Sequence, residues 1–154
     1  MCRGLGYEPV VLTAELSCTA RDAGSFLGAI ARTHKDTEKS LAYIAGGETV
    51  VHLTGHGLGG RNQEIALAAA PLLDGVKDAA VFSVGSDGTD GPTDAAGGYC
   101  DGETMAVLRA KGIDVTAVLA GNDAYHALKE CGGLIITGPT GINVNDLTVL
   151  LLRR

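Results

Sequence analysis

Three polar stretches hold most of the side chains able to do chemistry. The first is Gly55-His56-Gly57-Leu58-Gly59-Gly60, which leads into Arg61-Asn62-Gln63-Glu64 and then the apolar run Ile65 to Leu73. A glycine loop that delivers a helix N-terminus turns free N–H groups and the positive end of the helix dipole toward an anion. Arg61 adds a planar cation suited to a carboxylate or phosphate. The Gly-Lys-Ser/Thr ending of a Walker A loop is missing, and the glycine spacing is not that of a dinucleotide fingerprint. A plain tight turn with Arg61 as a surface charge is the competing reading.

The second stretch, Ser86 to Asp94, interleaves Asp87, Asp90 and Asp94 with Thr89, glycines and a proline. Such carboxylates could hold Mg²⁺, directly or through its waters, or act as a base toward a hydroxyl. The spacing is not that of an EF-hand loop, and the turn preference of Asp, Gly and Pro is the alternative account. The third stretch is Thr137-Gly138-Pro139-Thr140-Gly141-Ile142-Asn143-Val144-Asn145-Asp146. Its hydroxyl and amide groups, Thr140 and Asn143 among them, could bind a polar ligand or simply close a turn by local bonding. Glu48-Thr49, after Gly46-Gly47, could reach the same cleft. Asn122-Asp123 reads first as a cap for the helix that follows. His52 reads as a strand histidine and His56 as a loop residue within reach of a ligand. No Ser/His/Asp or Cys/His nucleophile arrangement and no Gly-x-Ser-x-Gly is present.

The elements that must position these loops are readable from apolar patterning. Pro9–Thr13, Ser40–Ala45, Thr49–Leu53, Ala79–Val84, Gly133–Thr137 and Leu147–Leu152 are predicted strands. A sharp turn at Gly46-Gly47-Glu48 would join the second to the third. Helices are predicted over Thr19–Thr37, where Ala23, Phe26, Leu27, Ile30 and Ala31 share a face, and from Arg61 through Leu73. Further helices are expected from Asp101 to Lys111, over Val115–Ala120 and over Ala124–Glu130. Strands alternating with helices give an α/β layered domain, and the close strand pairs imply a mixed β-sheet flanked by helices. Ligands gather at the strand ends of such sheets, so all three loops are expected at one site.

Composition bounds the rest. With 154 residues, 45% hydrophobic and 19% charged, the chain can bury the core of a single domain. Its net charge of −6, with two Phe and four Tyr, excludes a nucleic-acid partner. Cys2, Cys18, Cys100 and Cys131 form no CxxC pair and read as reduced thiols. No apolar stretch reaches the roughly 18 residues of a membrane span, and the N-terminus has no signal-peptide core. A cytoplasmic protein is expected.

Taken in order, four motifs carry a resemblance. They are Gly46-Gly47-Glu48-Thr49, Gly59-Gly60-Arg61-Asn62-Gln63-Glu64, Ser86-Asp87-Gly88-Thr89-Asp90-Gly91-Pro92-Thr93-Asp94-Ala95-Ala96-Gly97, and Thr137-Gly138-Pro139-Thr140-Gly141 with Asn143-Val144-Asn145-Asp146. The series resembles the MOFRL domain of glycerate 2-kinases, a family often labelled hydroxypyruvate reductase. The resemblance implies ATP-dependent phosphorylation of D-glycerate to 2-phosphoglycerate, with Mg²⁺. It also implies a Rossmann-like N-terminal domain, supplying a lysine and phosphate-binding glycines, that has no counterpart in residues 1–154. The cleft would lie between the two, so this chain by itself is expected to be nearly inactive, with the other domain as a partner chain. A stand-alone anion-binding or regulatory module is the alternative, and a face left uncovered would favour homo-oligomers.

By the same resemblance Arg61 takes glycerate carboxylate or phosphoryl charge, and Asp87, Asp90 and Asp94 act as base or metal-linked groups. Asn62 and Glu64 would support the arginine. Glu48, Thr49, Thr89, Asn122, Thr140 and Asn143 would contact substrate. Ile142 departs from the family's usual threonine. Phosphoryl transfer needs mainly positioning and charge neutralisation, which arginine, aspartate and glycine amides supply.

Overall fold

In the computed structural model, which describes residues 1–154, six strands form one mixed sheet with the order β1-β2-β6-β3-β4-β5. The strands are β1 (Glu8–Leu16), β2 (Leu41–Gly47), β3 (Ala79–Gly85), β4 (Gly97–Asp101), β5 (Leu134–Ile135) and β6 (Asp146–Leu152). Only β1 and β2 run parallel; every other pair is antiparallel. The helices are α1 (Ala20–Thr33), α2 (Arg61–Leu73), α3 (Thr104–Ala110), α4 (Val115–Ala120) and α5 (Ala124–Cys131). The expected mixed α/β sheet is therefore observed.

Side chains alternate across a strand. In β6 this sends Thr148, Leu150 and Leu152 to one face, beside Tyr43 of β2 and Ala79 and Val81 of β3. That face carries the core: Leu150, Leu152, Val81 and Cys100 are all fully buried. α2 is the centre of it. Its run from Asn62 to Ala70 is buried on every side, as expected of a helix with sheet below and helices around it. α1 packs against α2 through Gly24 and Gly28, four residues apart on one face. A Cβ on Gly24 would collide with the Ile65 carbonyl oxygen, so the two helix backbones touch there. Thr19 caps α1 by accepting the Asp22 N–H (3.2 Å). The opposite sheet face, with Ile44, Phe82, Val84 and Leu147, contributes nothing to that core, and Leu147 is 42% exposed.

Four local expectations fail. Phe26, expected on the core face of α1 with Ala23 and Leu27, is 61% exposed. Thr49–Leu53 is not a strand. β2 is already paired on both edges, by β1 and β6, so the β-prone Thr-Val-Val segment cannot pair back onto it and makes one isolated bridge, Val50 to Thr19. No hairpin turn forms at Gly46-Gly47; both residues belong to β2. The helix predicted from Asp101 begins at Thr104, and Gly97–Asp101 is a strand instead. Asp101 still gathers the Glu103 and Thr104 N–H groups (both 3.0 Å). Its two leading glycines disguise β4, although Gly97 is required there because a Cβ would collide with the Ser83 carbonyl oxygen of β3. No helix is long and apolar enough to cross a membrane.

Candidate functional site

Antiparallel pairing brings one end of the sheet to a single row. Gly47 at the end of β2 lies beside Asp146 at the start of β6, which lies beside Gly85 at the end of β3. The three polar loops therefore leave or enter the sheet at the same edge. Each is tied to the other two. The glycine loop meets the aspartate loop through Asp90, the aspartate loop meets the third through Thr140, and the third meets the glycine loop through Asp146 and Arg61.

Arg61, the first residue of α2, is 36% exposed at its side chain and held by two carboxylates. Asp146 accepts Nε–H at 2.5 Å and Nη2–H at 3.1 Å. Glu48 forms an ion pair with Nη1 at 3.0 Å. The hydrogen bonds to Asp146 raise the guanidinium pKa further above its usual value, against a smaller lowering by burial, so the group is permanently cationic. Asp146 closed the quoted fourth motif, but its side-chain role is visible only here. Spacing gave no hint of it, because 85 residues separate it from Arg61.

The amides at the start of α2 were expected to face a ligand anion. They face Asp90 instead. One Asp90 carboxylate oxygen accepts the Asn62 N–H (3.0 Å) and its side-chain amide (3.2 Å), and the other accepts the Gln63 N–H (2.9 Å). The Asp90 carbonyl accepts from Gln63 Nε2 and Thr93 Oγ1. Asp90 is only 3% exposed. Burial raises its carboxyl pKa even against these hydrogen bonds. Gly60 is needed to admit it, since a Cβ there would collide with the carboxylate. Gly60 itself offers no side-chain cap, so Asp90 supplies from another loop what a local Ser or Asp normally does.

The other residues predicted for the site take separate places. Asn62 does not support Arg61; it continues a buried chain in which Ser83 donates to its Oδ1 (2.5 Å) and Thr148 bonds Ser83 (2.7 Å). Glu64 pairs with Arg21 of α1 (2.9 Å) rather than with Arg61. Arg21 also reaches the Leu119 carbonyl at the end of α4. Asn122 does not cap α5. Its Oδ1 accepts the Thr54 and Gly55 N–H groups (2.7 and 2.8 Å), and its amide donates to the His52 carbonyl (3.0 Å) and to Glu64 (3.3 Å). Asp123 accepts the Leu58 N–H (2.8 Å) and makes no cap bond of its own. Asn122 and Asp123 thus fasten the glycine loop. His52 and His56 are exposed.

Asp87 accepts the Thr89 N–H and hydroxyl on Oδ1 (2.9 and 3.0 Å). These bonds, with the charge of Arg61 adding to them, hold its carboxyl below the ordinary range. Asp94 is exposed and accepts the Tyr125 hydroxyl (2.8 Å). Thr140 donates its hydroxyl to the Ser86 carbonyl (2.5 Å) and its N–H to the Asp87 carbonyl (3.0 Å). Asn143 bonds only the Asn145 N–H (3.2 Å). No three His, Cys, Asp or Glu side chains come together as metal ligands. The three aspartates serve as an α2 cap, a turn and a tyrosine partner, so they do not fit a Mg²⁺ site of this chain's own.

What remains open is a cleft of about 670 Å³ lined by Glu48, Thr49, Gly60, Arg61, Asp90 and Asn122, among others. Six of the sequence-predicted positions face or wall it: those five side chains and Glu64. Thr49 is 4% exposed and its Oγ1 is buried without a hydrogen-bond partner. A larger hollow, about 830 Å³, opens at the other end of the sheet among Lys77, Asp78, Asp101 and Arg153. Its charges are mixed and unconverged, so the smaller cleft is the better site.

Residues 41–146 match the MOFRL family. A D-glycerate 2-kinase of Thermotoga maritima is 51% identical over 151 residues, taking in 96% of this chain and 36% of its own length. A glycerate 2-kinase of Pyrococcus horikoshii is 45% identical over 153 residues, with 96% of this chain and 34% of its own length covered. A crystal structure of glycerate kinase from Thermotoga maritima superposes with a TM-score of 0.94 at 49% identity, across 99% of this chain and 38% of that one. The chain spans a little over a third of the length of these relatives.

Proposed function

This chain belongs to the MOFRL family, and on that premise we propose that it forms the arginine-bearing wall of a glycerate 2-kinase site. In that reading D-glycerate and ATP are the substrates and 2-phosphoglycerate is a product. The observation that carries it is Arg61, oriented by Asp146 and lining a cleft walled by the glycine and aspartate loops. An arginine fixed in this way meets a carboxylate or a transferring phosphoryl group without reorganising, which is how such charge is stabilised in a transition state.

The α2 amides belong to Asp90, so this helix start is not the triphosphate cradle. That role falls to the rest of a full-length kinase. Asp87 keeps Oδ2 free of hydrogen bonds and feels the charge of Arg61, so it is the aspartate able to accept a substrate hydroxyl. Its lowered pKa makes it an acceptor and charge partner rather than a strong base. The reading involves no metal step, because the aspartates do not converge on one. The four free cysteines fit a cytoplasmic setting. Self-association would have a physical basis in the uncovered sheet face. A monomer by light scattering at micromolar concentration would remove that suggestion.

The test is an ATP-coupled D-glycerate assay of this chain alone and with the preceding region of a full-length relative added in trans. Expected are no turnover alone, turnover on complementation, and its loss with Arg61→Ala. Full turnover by the chain alone would overturn the half-site reading. Anion binding without turnover in either form would favour a binding or regulatory module.

A further inference from the structure

The two carboxylates on Arg61 are of unlike standing. Asp146 uses both oxygens on the guanidinium, its side chain is 6% exposed, and it begins a strand paired on both sides. Glu48 makes one ion pair and its side chain is 59% exposed; only its backbone is tied down, by its N–H to the Leu16 carbonyl of β1 (2.8 Å). Two carboxylates and one guanidinium sum to a negative site. A ligand oxyanion reaching Arg61 therefore meets repulsion unless one carboxylate leaves, and only Glu48 can do so into water at little cost.

We propose that Glu48 is a displaceable counter-ion: it occupies Arg61 Nη1 in the unliganded protein, and an incoming oxyanion takes its place while Asp146 keeps the guanidinium still. The inference rests on the reading of Arg61 as the anion contact, but not on the anion being glycerate. Thr49 supplies a second, independent feature. Thr49 lines the same cleft, and its buried Oγ1 has no hydrogen-bond partner. Glu48 thus tunes affinity, and Asp146 is a positioning residue.

The experiment is calorimetric titration of the full chain with inorganic phosphate. Glu48→Gln removes the competing charge and is expected to bind phosphate about two- to five-fold tighter than the parent, the range an exposed ion pair covers. Asp146→Asn is expected to bind it more weakly. In NMR spectra of the parent, the Arg61 Nε–H signal stays protected on adding phosphate while the Glu48 carboxyl signal moves to that of a free glutamate. Equal or weaker phosphate binding by Glu48→Gln, or none by either protein, overturns the proposal. Failure of the kinase reading looks different: phosphate exchanges with Glu48, yet the complemented D-glycerate assay shows no turnover. Turnover without tighter binding by Glu48→Gln would sink the counter-ion alone.

Discussion

Removing the Asp90 carboxylate should destabilise the whole domain, although Asp90 lies in a loop rich in turn residues. Its oxygens are the only cap on α2, taking the Asn62 and Gln63 N–H groups and the Asn62 amide. α2 is the helix on which the core is built. Asp90→Ala leaves those donors buried, since Asn62 and Gln63 are both 0% exposed. Losing a cap costs about 1 kcal/mol and orphaning a buried donor about 1–3 kcal/mol, so ~2–4 kcal/mol is expected in all. For a chain of this size that is a fall in Tm of about 10 °C. Asp90→Asn keeps one acceptor and should lose about half as much. Urea unfolding followed by circular dichroism gives the free energies, and hydrogen exchange at the Asn62 and Gln63 amides locates the damage. A loss below ~1 kcal/mol in Asp90→Ala, with both amides still protected, would mean that water caps α2 and would refute the argument. The pH dependence has a fixed sign. Because burial raises the folded carboxyl above its ordinary 3.8, the folded protein keeps that proton to a higher pH than the unfolded chain does. The Asp90 contribution to stability therefore declines as pH rises from 3.8 to the raised folded value. Asp90→Asn should lack this decline.

Other outcomes follow from the same packing. Gly24→Ala should cost about 1–3 kcal/mol, read from urea unfolding, because its methyl group collides with the Ile65 carbonyl and forces α1 off α2. Asn122→Ala should release the Thr54 and Gly55 amides, so that their hydrogen exchange accelerates while that of β3 and β6 does not. Thr89→Val should let the Asp87 carboxyl titrate closer to an ordinary aspartate in ¹³C NMR, with part of the lowering kept because the Thr89 backbone N–H remains. An Asp87 titration unmoved by that substitution would assign the lowering to the backbone alone.

Sequence patterning carried the class of fold, most strand and helix positions, and the three loops, because apolar alternation and helical spacing are local signals. It also singled out Arg61, since a glycine loop ending in an arginine before an apolar helix is chemically unusual. The failures come from pairing between distant residues. Thr49–Leu53 has strand composition, but β1 and β6 had already taken both edges of β2. β4 looked like a loop because of Gly97 and Gly98, but a Cβ on Gly97 would collide with the Ser83 carbonyl of β3, and Gly98 lies against Leu128 of α5, 30 residues downstream. At the site, composition made the aspartates look like one cluster, yet the fold divides them. Asp90 is drawn under α2, Asp94 faces Tyr125, and Asp87 is held in its own turn by Thr89, with Arg61 acting on both Asp87 and Asp90 through its charge. The partners that matter most to Arg61 and Glu64 are Asp146, 85 residues away, and Arg21, 43 residues away. The residues themselves determined an α/β domain with polar loops gathered at its strand ends. Tertiary structure decided which carboxylates meet which cations, because charge pairing depends on distance in space and not along the chain.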